Sequence, residues 1–435
     1  MPHPPSQPAP ARSAFAPLRL PGFRMLSFGT TVNLLGNGVA PLALAFAVLD
    51  LTHSAADLGL VVGARSLFNV LFLLFGGVLA DRLPRHLVMV GSGLLSAGTQ
   101  AAVAALVLTH TATIPVLLVL SAANGTFAAI AQPASAALVP QLVPAELLRS
   151  ATTLNRMVRN LAMILGTSLG GILVAAVGPG WGLAVDAASF AVSAGFFFRL
   201  PVPAHTQPAA ERSGIVTELR EGWSEFVSRT WVWVIVVAFG FLNASLAGSN
   251  GILGPVIADQ SFGRANWGFI LAAETVGGIV GGLIALRLRP RRLLLVGCAC
   301  MGAEVLLPLG LAFHAAVYLL APAGFIIGIC VEQFGVAWQM ALQQEIPAEK
   351  LARVYSYDMV GSFVAIPVAQ VVTGPLAAAM GVRSTLLVAA GITAVATLAM
   401  VAVRDVRALQ VRRHAPADED GRVAADSLAE VSGTS

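Results

Sequence analysis

Four ionisable side chains stand inside long apolar runs: Arg65, Glu274, Glu304 and Glu332. At the centre of a membrane-spanning helix an Asp, Lys or Arg costs about 2.5 to 3.5 kcal/mol on insertion scales, so such a residue marks a role. A carboxyl in that position can exchange a proton or hold a cation. Glu332 lies deepest on a polar face and is the first candidate for proton exchange, with Glu274 and Glu304 behind it. Arg65 and Glu274 are 209 residues apart at equal depth and of opposite charge, which predicts a coupled electrostatic set. Asp50 and Asp186 fall toward the outer ends of their runs. Amides accompany these groups at helical spacing. Asn33 and Asn37 share a stripe with Thr30 and Pro41, and Asn124 follows Ser121 with Gln132 beside the stripe. Asn243 and Asn250 form a third, and Glu332, Gly335, Gln339 and Gln343 a fourth. A helix that keeps several polar groups on one face must turn it to protein or water, so the stripes predict a common cavity lining. Interhelical amide bonding is the alternative for any single Asn. The seven histidines are scattered without ligand spacing, no phosphate-binding loop occurs, and Cys298, Cys300 and Cys330 read as core packing. No enzyme, metal centre or cofactor is expected.

The elements that must carry these residues follow from composition. The chain is 57% hydrophobic and 11% charged, against about 25% charged for a soluble domain. Apolar stretches of about 20 residues, enough to cross roughly 30 Å of hydrocarbon as helix, recur about twelve times between residues 25 and 403. Barrel-like alternation is absent, leaving helix as the way to satisfy backbone groups in lipid. Of the 26 Lys and Arg, only Arg264 and Arg383 oppose the rest and Arg65 lies within a span. This positive-inside pattern predicts a multi-pass inner (plasma) membrane protein with both termini cytoplasmic. It also explains the basic balance without a nucleic-acid partner. The Pro-rich first 20 residues lack an apolar core, so no cleaved signal is evident. The bilayer is the expected surrounding and a monomer the expected unit.

The chain also repeats itself. VPAELLRS at Val143 to Ser150 is echoed by IPAEKLAR at Ile346 to Arg353, an offset of 203 residues, and Pro84 is echoed by Pro290 at an offset of 206. The reading is all-α, with twelve transmembrane helices in two pseudo-symmetric six-helix bundles. Residues 1–20 form a disordered cytoplasmic tail, 21–199 the first bundle, 200–229 a cytoplasmic linker, 230–404 the second bundle and 405–435 a disordered tail. In the linker, Ile215, Leu219, Trp223 and Phe226 recur at helical spacing. That predicts an amphipathic helix, either on the membrane surface or tucked against cytoplasmic helix ends.

Residues 76–86 read GGVLADRLPRH. Gly77, Leu79, Ala80, Asp81, Arg82 and Arg85 resemble the G-x-L-A-D-R-x-G-R-K loop between the second and third transmembrane helices of major facilitator superfamily transporters. Pro84 replaces the second glycine and His86 the terminal lysine. The resemblance covers roughly residues 20 to 405. It implies a central cavity lined by helices one, four, seven and ten, the four that carry the polar stripes. It further implies a cytoplasmic gate at Gly77, Asp81, Arg82 and Arg85 that pairs with facing helix ends, including Asp358. The second repeat has Arg287 where alignment puts Asp81. Gln132-Pro133-Ala134, the run from Pro140 to Glu146 and ELREGWSEF resemble the branch of enterobactin-type siderophore exporters and macrolide efflux proteins. Gly166-Thr167-Ser168-Leu169-Gly170-Gly171 lacks the proline of the Gly-Pro-x-x-Gly-Gly signature of many proton-coupled exporters. The resemblance implies secondary active export, driven by a proton gradient, of a small, largely apolar compound such as a drug, siderophore or secondary metabolite. Two alternatives are a proton-coupled uptake symporter of the same fold and, from another class, a membrane receptor or intramembrane enzyme.

Overall fold

Backbone groups in hydrocarbon must find their partners inside the chain, and the computed structural model meets this with helices. It describes residues 16–201, 223, 224, 226–287 and 290–409. Among these, twelve helices are long and apolar enough to cross a membrane. They are α1 (Pro21–Thr52), α2 (Ala55–Arg82), α3 (Arg85–Leu108), α4 (Ile114–Leu142), α5 (Ala145–Val177) and α6 (Pro179–Phe198). The second set is α7 (Thr230–Gln260), α8 (Arg264–Arg287), α9 (Leu293–Ala312), α10 (Val317–Glu345), α11 (Ala348–Phe363 continued by Ala365–Met380) and α12 (Val382–Ala402). Two of them are irregular: α7 contains a π turn at Ser249–Leu253 and α9 a 3-10 turn at Met301–Val305.

The two sets pack alike. In the first, α1 lies on α5 and α6, α2 on α4, and α3 on α4 and α6; in the second, α7 lies on α11 and α12, α8 on α10, and α9 on α10 and α12. Turn chemistry repeats as well. The positive-φ residues among those described fall into three pairs: His53 and Gly263, His110 and His314, Gly178 and Gly381. Gly178 and Gly381, at φ 88° and 87°, end α5 and α11 in a conformation that only glycine adopts readily. All six turns lie on one face, here the Asp50 face. The opposite face, which carries Pro84, uses proline instead: Pro144 and Pro347 cap the starts of α5 and α11. Proline is well placed at a helix start because its missing N–H had no intrahelical partner there.

The buried apolar residues divide by face. One large cluster joins both halves at the Asp50 face, running from Val39 to Leu49 of α1 through Leu58, Ile252 to Ala258, Trp267 and Leu307 to Ala312. Toward the Pro84 face, among the described residues, each half keeps its own cluster. Phe23, Val88, Leu138 and Phe197 form one, and Trp231, Leu294, Phe334 and Met400 the other. Among the described residues, hydrophobic burial therefore joins the halves at one face and holds each half together at the other.

The expected boundaries need adjustment at the edges. Ala16–Arg19, assigned to a disordered tail, forms a 3-10 turn with Pro17 buried, and Arg404–Ala408 is a short helix with Val406 fully buried. Residues 1–15 and 410–435 lie outside the described residues, as does most of the linker, including Ile215 and Leu219. Its described end packs on α11, with the Trp223 and Phe226 rings 5.4 and 5.7 Å from that of Tyr357. This favours a helix tucked against helix ends.

Candidate functional site

Glycine decides where the two halves touch. A Cβ added at Gly171 of α5 would stand 2.7 Å from Gly268 Cα of α8, and one at Gly63 of α2 would stand 2.6 Å from Val371 Cγ2 of α11. The pairs α5–α8 and α2–α11 are the principal contacts between halves, and they are equivalent under the repeat. Within the Gly166 to Gly171 run, the glycines divide their work. A Cβ at Gly170 would come within 2.8 Å of Val39 Cα on α1, and one at Gly166 would collide with the Leu35 carbonyl. Gly171 alone reaches across to the other half.

The same device brings the ionisable residues to matching places. Gly125 of α4 has no room for a side chain because the Arg65 carbonyl of α2 lies against it, and Gly328 of α10 faces the Glu274 carbonyl of α8 in the same way. The equal depth read from the sequence thus has a packing cause. Their surroundings differ, however. The Arg65 guanidinium makes a long 3.5 Å contact to Asn37 Oδ1, and Asn37 Nδ2 donates to Asn33 Oδ1 at 2.6 Å. The acid within electrostatic range of Arg65 is Asp186 of α6. Glu274 instead lies within range of Glu304 on α9. The expectation of one coupled Arg65–Glu274 set is therefore corrected: each is grouped with an acid of its own half. Asp186 went without a role in the sequence because nothing local marks it. It is fully buried near the middle of α6, and neither carboxylate oxygen accepts a hydrogen bond.

The stripes separate in three dimensions. Asn33, Asn37 and Asn250 are half-buried, and Asn250 stands in the π turn of α7, where its Oδ1 accepts from Ser249 at 3.4 Å. Glu332 is half-buried with its side chain against the glycine pair Gly281 and Gly282 of α8. Gln339 is half-buried and Gln132 exposed. Two amides serve packing. Asn124 is 2% exposed and donates to Ser96 and Thr99 of α3, while Asn243 donates to the Ser362 carbonyl of α11 at 2.9 Å. A stripe in one helix cannot distinguish these uses, because a neighbouring helix and a cavity both satisfy an amide.

Gly77 to Arg82 are the last turns of α2, so the expected loop reduces to Leu83 and Pro84. The side chains of Asp81 and Arg82 lie outside the described residues; Arg85 opens α3 and is half-buried. Asp358 accepts from Trp338 Nε1 at 3.0 Å and Ser362 Oγ at 3.1 Å.

At the Asp50 face an ion clasp joins the halves, and the sequence reading missed it. Arg264, which opens α8, donates through Nε to Asp259 at 2.7 Å and through Nη1 to Asp50 of α1 at 3.1 Å. A second, shorter contact joins Nη2 to Asp50, and the guanidinium lies 4.7 Å over the Phe46 ring. Asp50 and Asp259 are 209 residues apart, so one arginine holds two repeat mates. An apolar groove of about 660 Å³ lies elsewhere, between α1, α5 and α6. Its outer walls, Leu169, Ile172, Val185 and Val192, are exposed. On a membrane span such a surface meets lipid chains.

A family model described as Major Facilitator Superfamily matches residues 26–369. The chain belongs to that superfamily. It is a multi-pass membrane transporter and not an enzyme. Among curated major facilitators it is similar to the enterobactin exporter EntS of Escherichia coli O1:K1, at 26% identity over 364 residues covering 81% of this chain and 82% of that protein. EntS of Shigella boydii serotype 18 gives the same figures of identity and coverage, 26%, 81% and 82%. Among solved structures, the nucleoside transporter NupG superposes with a TM-score of 0.73 at 15% identity, covering 87% of this chain and 98% of that one. A bacterial homologue of the human lysosomal transporter Spinster, in an inward-facing and unoccupied conformation, gives 0.65 at 14% identity, with coverage of 87% and 95%. At these identities the structures share the major facilitator fold.

Proposed function

We propose that this chain is a secondary active exporter that moves a small, largely apolar organic compound out of the cell in exchange for protons. The observation that carries the reading is the division of the core: among the described residues, one apolar cluster spans both halves at the Asp50 face, and toward the Pro84 face each half keeps a cluster of its own. The positive-inside pattern sets the Pro84 face in the cytoplasm. A core shared by both halves at the outer face suits a molecule that takes its substrate from the cytoplasm, as an exporter does. Similarity to EntS supports efflux and makes a siderophore-like compound the first substrate class. Asn33, Asn37, Asn250, Glu332 and Gln339 are the contacts offered to substrate, and Glu332, Glu274 and Glu304 the carboxyls offered to protons. Gly77, Asp81, Arg82 and Arg85 form the cytoplasmic gate that closes when the halves rock.

Cells lacking their own siderophore exporter and expressing this chain should release enterobactin or extrude Hoechst 33342, and an uncoupler should stop it. Glu332→Gln, which keeps the shape and removes the titration, should lower that export by about 5- to 150-fold, the range of one coupling free energy, at unchanged membrane abundance. Unaltered handling of both probes, with or without the chain, would overturn the export reading. Glu332→Gln that still exports in a proton-dependent way would move coupling to Glu274.

A further inference from the structure

The first half holds a carboxyl that no step above uses. Asp186 is 0% exposed, and neither of its oxygens accepts a hydrogen bond; the Ser189 hydroxyl, one turn on, donates to the Asp186 main-chain carbonyl at 2.7 Å. Room for the carboxyl comes from α1. A Cβ added at Gly36 would stand 2.7 Å from Asp186 Oδ1, so any other residue there would displace the acid. One helix beyond, Arg65 lies within electrostatic range, yet its guanidinium is turned to Asn37, and among the described residues it makes no ion pair within 4.0 Å. Among the described residues, Arg65 is the charged group within electrostatic range of Asp186. Residues 26–49 of α1, 87–108 of α3 and 160–177 of α5, helices that also pack on α6, include no acid or base, and their polar groups are amides and hydroxyls such as Asn33, Asn37 and Gln100.

An ionised carboxylate is expensive in such a setting when the hydroxyl beside it, that of Ser189, donates to the main chain. Two arrangements avoid the cost: a proton on the carboxyl, or the approach of Arg65. We propose that Asp186 is a proton-binding carboxyl that alternates between these two arrangements. With the proton bound, Asp186 is neutral and Arg65 keeps the contact to Asn37 that the structure holds. When the proton leaves to water, the carboxylate draws Arg65 from Asn37 and forms an ion pair, the net charge of the pair falling from +1 to 0. Asn37 then loses its cation and the Asn33–Asn37 amide pair is free to turn. Because α1 also carries Asp50 of the ion clasp, the proton is read out on a helix that contributes to the contact between halves. The coupling role rests on the proton-driven export reading; the proton site does not.

Infrared pH titration of the purified full chain in lipid nanodiscs tests the site directly. Wild type should show a protonated-carboxyl C=O band that disappears on raising pH and is missing from Asp186→Asn. In Arg65→Gln the band should persist to pH values at which wild type has lost it, because no cation replaces the proton. Identical wild-type and Asp186→Asn titrations overturn the proposal, as does an Arg65→Gln band that titrates like wild type. If Asp186→Asn fails to insert, Asp186→Glu keeps a carboxyl and must move the same band. Uncoupler-resistant export of Hoechst 33342 by wild type would sink proton-driven export while leaving the infrared result to decide Asp186. Uncoupler-sensitive export with no Asp186 band would do the reverse.

Discussion

Ionisable residues in this chain act in local groups, and geometry sets the groups. Arg65 and Glu274 hold repeat-equivalent positions, each with its carbonyl against a glycine of the next helix. One is grouped with Asn37 and Asp186 and the other with Glu304. Substitutions without shared partners add to within about 0.3–0.5 kcal/mol, whereas members of one network deviate by about 0.5–3 kcal/mol. A transport-based double-mutant cycle on Arg65→Gln and Glu274→Gln should therefore be additive. The cycle on Glu274→Gln and Glu304→Gln should not. Coupling in the first cycle and additivity in the second would mean that equal depth across the repeat outweighs the local environment. Position and charge type were readable from the chain. Grouping was not, because it depends on neighbouring helices, such as α6, whose Asp186 is 121 residues from Arg65.

At the scale of elements, the halves meet through glycine crossings within a shared apolar cluster, and an ion clasp adds to both. Removal of side chains at Gly171 and Gly268 lets α5 and α8 approach at the Asp50 face, and Arg264 ties α1 to α8 beside them. Asp50 is 44% and Arg264 24% exposed in their side chains, and an exposed ion pair contributes about 0.2–1 kcal/mol. Arg264→Gln should therefore raise the ratio of molecules open at this face to those closed by at most about fivefold, the equivalent of 1 kcal/mol. Spin labels at positions 51 and 261 would read this as a new long-distance component, and wild-type distances in Arg264→Gln would remove the clasp from the closing mechanism. The glycines were visible as a signature in α5, but their division between α1 and α8 required the neighbours.

For the whole molecule, the repeat is the governing fact. Packing order, turn conformations and glycine crossings all recur with the offset that VPAELLRS and IPAEKLAR announce. Each half has its own apolar cluster toward the Pro84 face, and the shared cluster at the Asp50 face is built from both. A chain divided within residues 202–222 and expressed as two pieces should therefore reassemble in the membrane, which copurification through a tag on one piece would measure. Failure to copurify, with both pieces inserted, would assign the linker an obligatory part in holding the halves.

Span number, helical class, the twofold repeat and the positions of the buried charges follow from the sequence alone, because each depends on a local quantity. Transfer free energy is summed over about 20 residues, and proline or glycine acts on its own turn. Which polar side chain meets which partner was decided only in three dimensions. Asn37 and Asn124 look alike in their stripes, yet one meets a guanidinium and the other a neighbouring helix. Asp186 is buried because a glycine 150 residues earlier leaves it room. Such outcomes depend on close approach between helices, and a single helix's periodicity carries no record of the neighbour's surface.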